Sequence, residues 1–250
     1  MSATAPDRRA SPFLAIVAYV LRAALPTRAW ALLLLPCAGA VLFGLLAQLG
    51  DDRVEAFGGV VALGLYGLVV PFACLVVGDA VLGAEVRSGT FALTWLTPVR
   101  FGTIVVGRWL GGWLIALVTV VPSMALAAVA AGLPEAAAAL AWGSVFVTAG
   151  YLAVFVLIGA AVRRAAVWSI TFLILVERLL GAALSGLAQL CPGWLGIAAY
   201  DGMGPPGTDL HRDGVPGGGA ALTRLALVTV AGLVLATWRV RHLRLTGGED

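Results

Sequence analysis

The chain has 250 residues, of which 61% are apolar and 12% charged, with a net charge of +3 and a mean hydropathy of +1.00. A soluble domain carries about a quarter of its residues as charges. The composition therefore excludes an ordinary soluble globule and a disordered chain, and leaves an integral membrane protein with several helical spans.

All sixteen basic side chains are arginine, so the chain has no lysine. It can carry neither a P-loop nor a Schiff-base lysine of its own. The net positive charge is not a nucleic-acid signature, because no basic patch is interleaved with aromatics, and no nucleic-acid partner is expected. Cys37, Cys74 and Cys191 form no CxxC or His/Cys cluster, and His211 and His242 lie far apart in sequence. No metal or other cofactor is expected on this chain. All-arginine usage with abundant Ala and Gly points, through codon composition, to a GC-rich bacterial genome.

In chain order, Ser11-Pro12 opens a helix as N-cap and first helical position, and Pro26 closes it. Phe13, Val17, Val20, Leu21 and Ala24 share one face of this 12–25 helix, which reads as lying in the membrane interface. Arg22 and Arg28 stand where a signal-peptide cleavage site would need small residues. Uncharged runs then predict spans over 29–50, 56–78 and 136–162, and the run from Trp109 to Pro134 a third span placed over 103–133 with its start near Thr103, each long enough to cross a bilayer core. Gly132-Leu133-Pro134-Glu135 joins the third and fourth as an antiparallel hairpin.

The fifth span is less regular, because Glu177-Arg178 interrupts its apolar run. One parse is a single span over 165–190 with the charged pair near mid-depth. The other breaks the chain and leaves short helices such as 192–200 dipping back. The first is preferred here, with a partial re-entrant tail. The segment 191–219 is expected outside the membrane, its 201–219 part an exposed Gly/Pro/Asp-rich loop. A last span covers 220–238.

Arginine placement orients these spans. With both termini cytoplasmic, Arg8, Arg9, Arg22, Arg28, Arg87, Arg100, Arg108, Arg163, Arg164, Arg239, Arg241 and Arg244 lie inside, against Arg53, Arg212 and Arg224 outside. Most acidic residues fall on the outer side. This is a strong positive-inside bias. The expected architecture is all-α: six transmembrane helices in a single 1–250 domain, with an interfacial N-terminal helix.

Between the second and third spans, an amphipathic helix is expected over 83–96 along the cytoplasmic surface. Leu82, Val86, Leu93 and Leu96 form its apolar line. Arg87, Thr90 and Thr94 lie on another face, and Pro98 ends the helix. Its polar face is a natural docking surface for a soluble partner.

The residues from Asp79 to Leu110 resemble the type-2 exporter family of ABC-transporter permeases. The matching elements are Glu85 with Arg87, Gly89-Thr90, Leu93 to Leu96, Thr97-Pro98-Val99-Arg100, and Gly107-Arg108 entering the next span. Arg108 departs from the lysine common at that place. The resemblance implies a half-transporter in a bacterial cytoplasmic membrane, with no enzymatic site of its own. A second copy or a related permease would pair with it. Two copies of a separate ATP-binding subunit, carrying ATP and Mg, would dock on the 83–96 coupling helix through Glu85, Arg87, Gly89, Thr90, Thr94, Pro98 and Arg100. The cargo would be a small molecule, drug, peptide or lipid, moved outward.

Glu177 and Arg178 are the other candidates. A charge at bilayer depth costs at least about 2.5–3.5 kcal/mol and normally faces protein or water. Adjacent helix residues point about 100° apart, so the two do not simply pair. Glu177 is expected to line a translocation path or a dimer interface, or else to be a structural charge satisfied by a neighbouring helix. An intramembrane enzyme finds no support, since paired acids, HExxH and GxSxG are all missing. A stand-alone ion-coupled transporter or scaffold using Glu177 is the alternative to the permease. Trp109, Trp113, Trp142, Trp168, Trp194 and Trp238 lie near run ends and read first as an interfacial belt.

Overall fold

A computed structural model describes residues 11–83, 99–162, 164–208 and 210–242, without the side chains of 24–33 and 82–83. Glu85, Arg87, Gly89, Thr90, Thr94 and Pro98 lie outside the described residues, as does nearly all of the expected 83–96 coupling helix. The described residues form helices α1 (Pro12–Ala47), α2 (Arg53–Val81), α3 (Phe101–Ala130), α4 (Pro134–Ala161), α5 (Ala165–Ala183), α6 (Pro192–Asp201) and α7 (Gly218–Arg241), and no strand. Helices α2, α3, α4, α5 and α7 are each long and apolar enough to cross a membrane. The outward faces agree, with Leu63, Val118 and Leu227 all about 70% exposed. Such residues belong against lipid rather than water. This is an all-α protein of the multi-pass membrane class.

The N-terminus differs from its sequence reading. Pro26 does not end a helix; α1 is helical from Pro12 to Ala47, with Pro26 and Pro36 inside it. Each proline removes one backbone donor, a local loss that a membrane helix tolerates when its neighbours hold it. The neighbour here is α3. Ile16 rests over Gly107 and Val20 over Gly111. Further along, Gly44 lies against the Ala127 carbonyl and the Gln48 side chain donates to the Ala130 carbonyl. The two helices therefore run parallel over nearly their whole length. Val17 and Val20, expected on an interfacial face, are buried in this contact. At 1.5 Å per residue α1 is about 54 Å long, well beyond a hydrocarbon core of about 30 Å. The expected 12–25 and 29–50 elements are one rod.

The α3–α4 hairpin forms as expected. Gly132 takes φ 77°, the Gly132 N–H donates to Val129 and the Leu133 N–H to Ala128. This is a Schellman stop, which needs a residue without Cβ at the left-handed position. Helix α4 is the most buried span and packs on α2, α3, α5, α6 and α7. Trp109 and Trp113 stack at 5.3 Å and donate to the Ala149 and Val145 carbonyls of α4. They staple α3 to α4 rather than forming an interfacial belt. Trp142, Trp168 and Trp238 are exposed as a belt would require.

The fifth span ends earlier than expected. Helix α5 stops at Ala183, where Leu184 turns extended, and one helical turn over Ser185–Ala188 leads to α6. The preferred single span to residue 190 is thus replaced by a helix, a break and a short second helix. Leu195, Ala199 and Tyr200 of α6 are fully buried, so the expected 191–219 segment starts inside the bundle. Its 201–219 part is only partly exposed, with Thr208 and Val215 buried. Asp201 Oδ1 ties this loop by accepting from the Thr208 hydroxyl at 3.3 Å and the Leu210 N–H at 3.1 Å.

The bundle's two ends differ in charge. At one end Arg108 donates to the Val81 carbonyl, Arg239 donates to the Ala161 carbonyl, and Gly102 lies beside Thr237. Arg100 and Arg164 lie at the same end, exposed. At the other end Arg53 approaches Gly132 and the 208–210 loop covers Gly58. That end carries Asp51, Asp52, Glu55, Glu135 and Asp201.

Candidate functional site

Besides the π-helical turn Asp79–Gly83 at the end of α2, two of the long helices contain π-helical stretches within the span, Val60–Val69 in α2 and Phe172–Leu180 in α5. A π-turn widens the helix and frees backbone groups, and it is frequent at functional sites. Pro71 follows the first stretch and, lacking an N–H, loosens the turn before it. The two stretches meet around Glu177 and Arg178.

Glu177 is 2% exposed. Its Oε1 accepts from the Tyr151 hydroxyl of α4 at 2.5 Å and from the Gly193 N–H at 2.7 Å. Gly193 is the second residue of α6, so this oxygen also caps that helix's positive end. Cys191, the residue at the cap position, offers no side-chain bond there. The Glu177 backbone carbonyl accepts from Trp194 Nε1 at 2.8 Å. Glu177 Oε2 is buried and has no hydrogen-bond partner among the described residues.

Gly193 is where close approach decides the geometry. A Cβ there would overlap Glu177 Oε1 and lie 2.6 Å from the Tyr151 hydroxyl and 3.2 Å from the Tyr66 carbonyl. Oxygens from three helices thus converge on one bare α-carbon. Tyr151 in turn stacks on Phe155 at 5.7 Å.

Arg178 points elsewhere, as the 100° rule requires. Both of its terminal nitrogens donate to the Ala62 carbonyl at 3.4 Å, and its guanidinium lies against Gly67 of the α2 π-stretch. Near the end of α5, Arg212 donates to the Ala182 carbonyl at 2.6 Å and sits 4.3 Å over the Trp194 ring. Helix α5 is thus held by a row of polar contacts, while Ile174, Leu175 and Leu179 face outward.

Of the sequence-predicted residues, Glu177 lies in this clasp, while Arg178 turns away to Ala62 and Gly67 on α2. Arg100, the described member of the docking set, is an exposed residue at the N-terminus of α3. Tyr151, Gly193 and Trp194 were missed as site residues; a glycine directly after Pro192 at a helix start was the available signal for one of them. Arg108 was read as a motif residue and a cytoplasmic orienting charge; it is 4% exposed and bonds the end of α2. A second concavity, an apolar groove of about 440 Å³, lies between α1 and α2 and is lined by Leu35, Gly39, Leu68, Phe72 and Val76. The Thr119 hydroxyl in its wall is already bonded to the Ile115 and Ala116 carbonyls. Among the described residues no group of three or more His, Cys, Asp or Glu is placed to hold a metal.

Comparison with known proteins gives no match, either to a family model or to a curated protein sequence.

Proposed function

We propose that this chain is the membrane-permease subunit of an ABC exporter in a bacterial cytoplasmic membrane. It moves a small molecule, drug, peptide or lipid outward with ATP hydrolysed on a separate subunit. The observation that carries this reading is the Asp79 to Leu110 segment, with Glu85, Arg87, Gly89-Thr90 and Pro98-Val99-Arg100 in the family's order. It joins two membrane-length helices at the arginine-rich end of the bundle. A chain without lysine has to borrow its ATPase, and a polar helix at that end is where such a subunit would dock. On this reading α1 is the sixth span beside the five long apolar helices, and an even count would leave both termini on the cytoplasmic side. Two permeases, identical or related, then stand over two ATP-binding subunits.

The test is capture of the tagged chain from its own membranes in mild detergent, followed by mass spectrometry and an ATPase assay. A P-loop ATPase in near-equal amount is expected, and Glu85→Ala with Arg87→Ala should lose it. If no ATPase appears even after cross-linking in intact membranes, the ABC reading fails. The buried Glu177, with one oxygen unspent, favours a second reading as an ion-coupled transporter.

A further inference from the structure

We propose that Glu177 Oε2 is a binding atom for a positively charged hydrogen-bond donor, either a cationic group on the transported solute or a proton. The inference rests on the reading of the chain as a solute-moving permease, whichever energy source drives it.

The geometry of the clasp separates the two carboxylate oxygens. Oε1 is used twice, by Tyr151 and Gly193, and is fixed by two different helices. Oε2 is buried and is used by none of the described residues. A carboxylate can accept about four hydrogen bonds, and a buried acceptor left empty costs roughly 1–3 kcal/mol or more when charged. A purely structural acid would be expected to spend both oxygens. Here one is held rigid so that the other is presented in a fixed direction, which is how a preorganised binding group is built.

The surroundings select the ligand class. From α4 the groups nearest the acid are Tyr151 and its stacked partner Phe155. From α2 the Tyr66 carbonyl faces the Gly193 α-carbon beside the acid. On α5 itself Arg178 supplies the one nearby positive charge, and its guanidinium is committed to the Ala62 carbonyl. From the α5–α7 connection come Trp194 and the Cys191 thiol, with Arg212 directed to Ala182 and the Trp194 ring. The acid is thus flanked by aromatic and apolar groups. An aromatic-walled carboxylate at membrane depth fits a lipophilic cation, attracted by charge and by ring faces together.

In the present conformation Oε2 is closed over. A solute reaches it only through an opening that leaves the Tyr151 and Gly193 ties to Oε1 in place. A proton needs no such opening, so the two sources of positive charge are separable by experiment.

The probe is ethidium, an aromatic cation bearing amino groups, titrated by fluorescence into the full chain purified in lipid nanodiscs. Wild type is compared with Glu177→Gln, which keeps the shape and the Oε1-type acceptor, and with Tyr151→Phe, which loosens the clasp but keeps the acid. A second arm, without ethidium, measures proton uptake by each variant across the near-neutral range. If a solute cation is the ligand, Glu177→Gln weakens ethidium binding at least about tenfold and Tyr151→Phe weakens it by less, since the acid stays while its Oε1 loses one of two ties. If the proton is the ligand, ethidium binding is equal in all three and wild type takes up one more proton than Glu177→Gln. Equal behaviour of wild type and Glu177→Gln in both arms overturns the proposal, and so does loss of binding in Tyr151→Phe to the same degree as in Glu177→Gln. Neither arm needs an ATPase, so failure here and failure to capture an ATPase are separate results.

Discussion

Two carboxylates, Glu177 and Asp201, anchor the segment between α5 and α7 in opposite ways. Asp201 is partly exposed and binds within its own loop, to Thr208 and Leu210, with His211 Nδ1 at 3.9 Å from its second oxygen. All of its partners lie within ten residues. Glu177 is buried and reaches across 26 residues to Tyr151 and 16 to Gly193, leaving one oxygen unused. The first acid stitches a loop whose alternative is water. The second joins three helices where water is scarce, and its free oxygen has no solvent to fall back on. Hydrogen-bond number is similar in the two places, so depth and reach separate a local tie from a candidate site.

Substitutions can break this contrast. Glu177→Ala should have the largest effect, about 4 kcal/mol, because it strands the Tyr151 hydroxyl and the Gly193 N–H in the interior. Unfolding in mixed detergent micelles would read it. Gly193→Ala follows at about 3 kcal/mol, since the new methyl overlaps Glu177 Oε1 and the neighbouring oxygens are set by helices that cannot all retreat. Loss of the Trp194 fluorescence environment should accompany it. Tyr151→Phe removes one short bond and should cost about 1.5 kcal/mol, near the upper end for hydrogen bonds inside membrane proteins. Asp201→Asn should be the smallest, at about 0.5 kcal/mol, because the amide oxygen still accepts from Leu210 and water replaces the rest. A value for Asp201→Asn equal to that for Glu177→Ala would erase the distinction between the two acids.

The sequence made the charge at Glu177 conspicuous, because a lone acid inside an apolar run has few innocent explanations. Its partners were not visible there. Tyr151 sits in an unbroken apolar helix and Gly193 in a glycine-rich chain, and only the packing of α4, α5 and α6 brings them together. The π-helical stretches were equally hidden, since they keep an apolar pattern and change only the winding. Helix α1 shows the opposite failure. Pro26 is a legitimate local stop signal, and the long contact with α3 overrides it. The tryptophans divide on the same principle. Trp142, Trp168 and Trp238 are exposed, the state a belt residue needs. Trp109 and Trp113 instead spend their indole N–H groups on backbone carbonyls of α4.

The parallel seating of α1 on α3 also fixes an order of events during synthesis. Two helices of the same direction cannot be neighbours in sequence, so α2 must be made between them. The surface that receives Val20 and Gly44 is complete only when the ribosome has passed Ala130, 83 residues after the end of α1. At roughly 5–20 residues per second that interval is roughly 4 to 17 seconds. During it the first helix, with two prolines, has only α2 to pack on, and the face that will meet α3 must be sheltered by lipid or by the insertion machinery. The nascent chain is most exposed to misinsertion and degradation in that window.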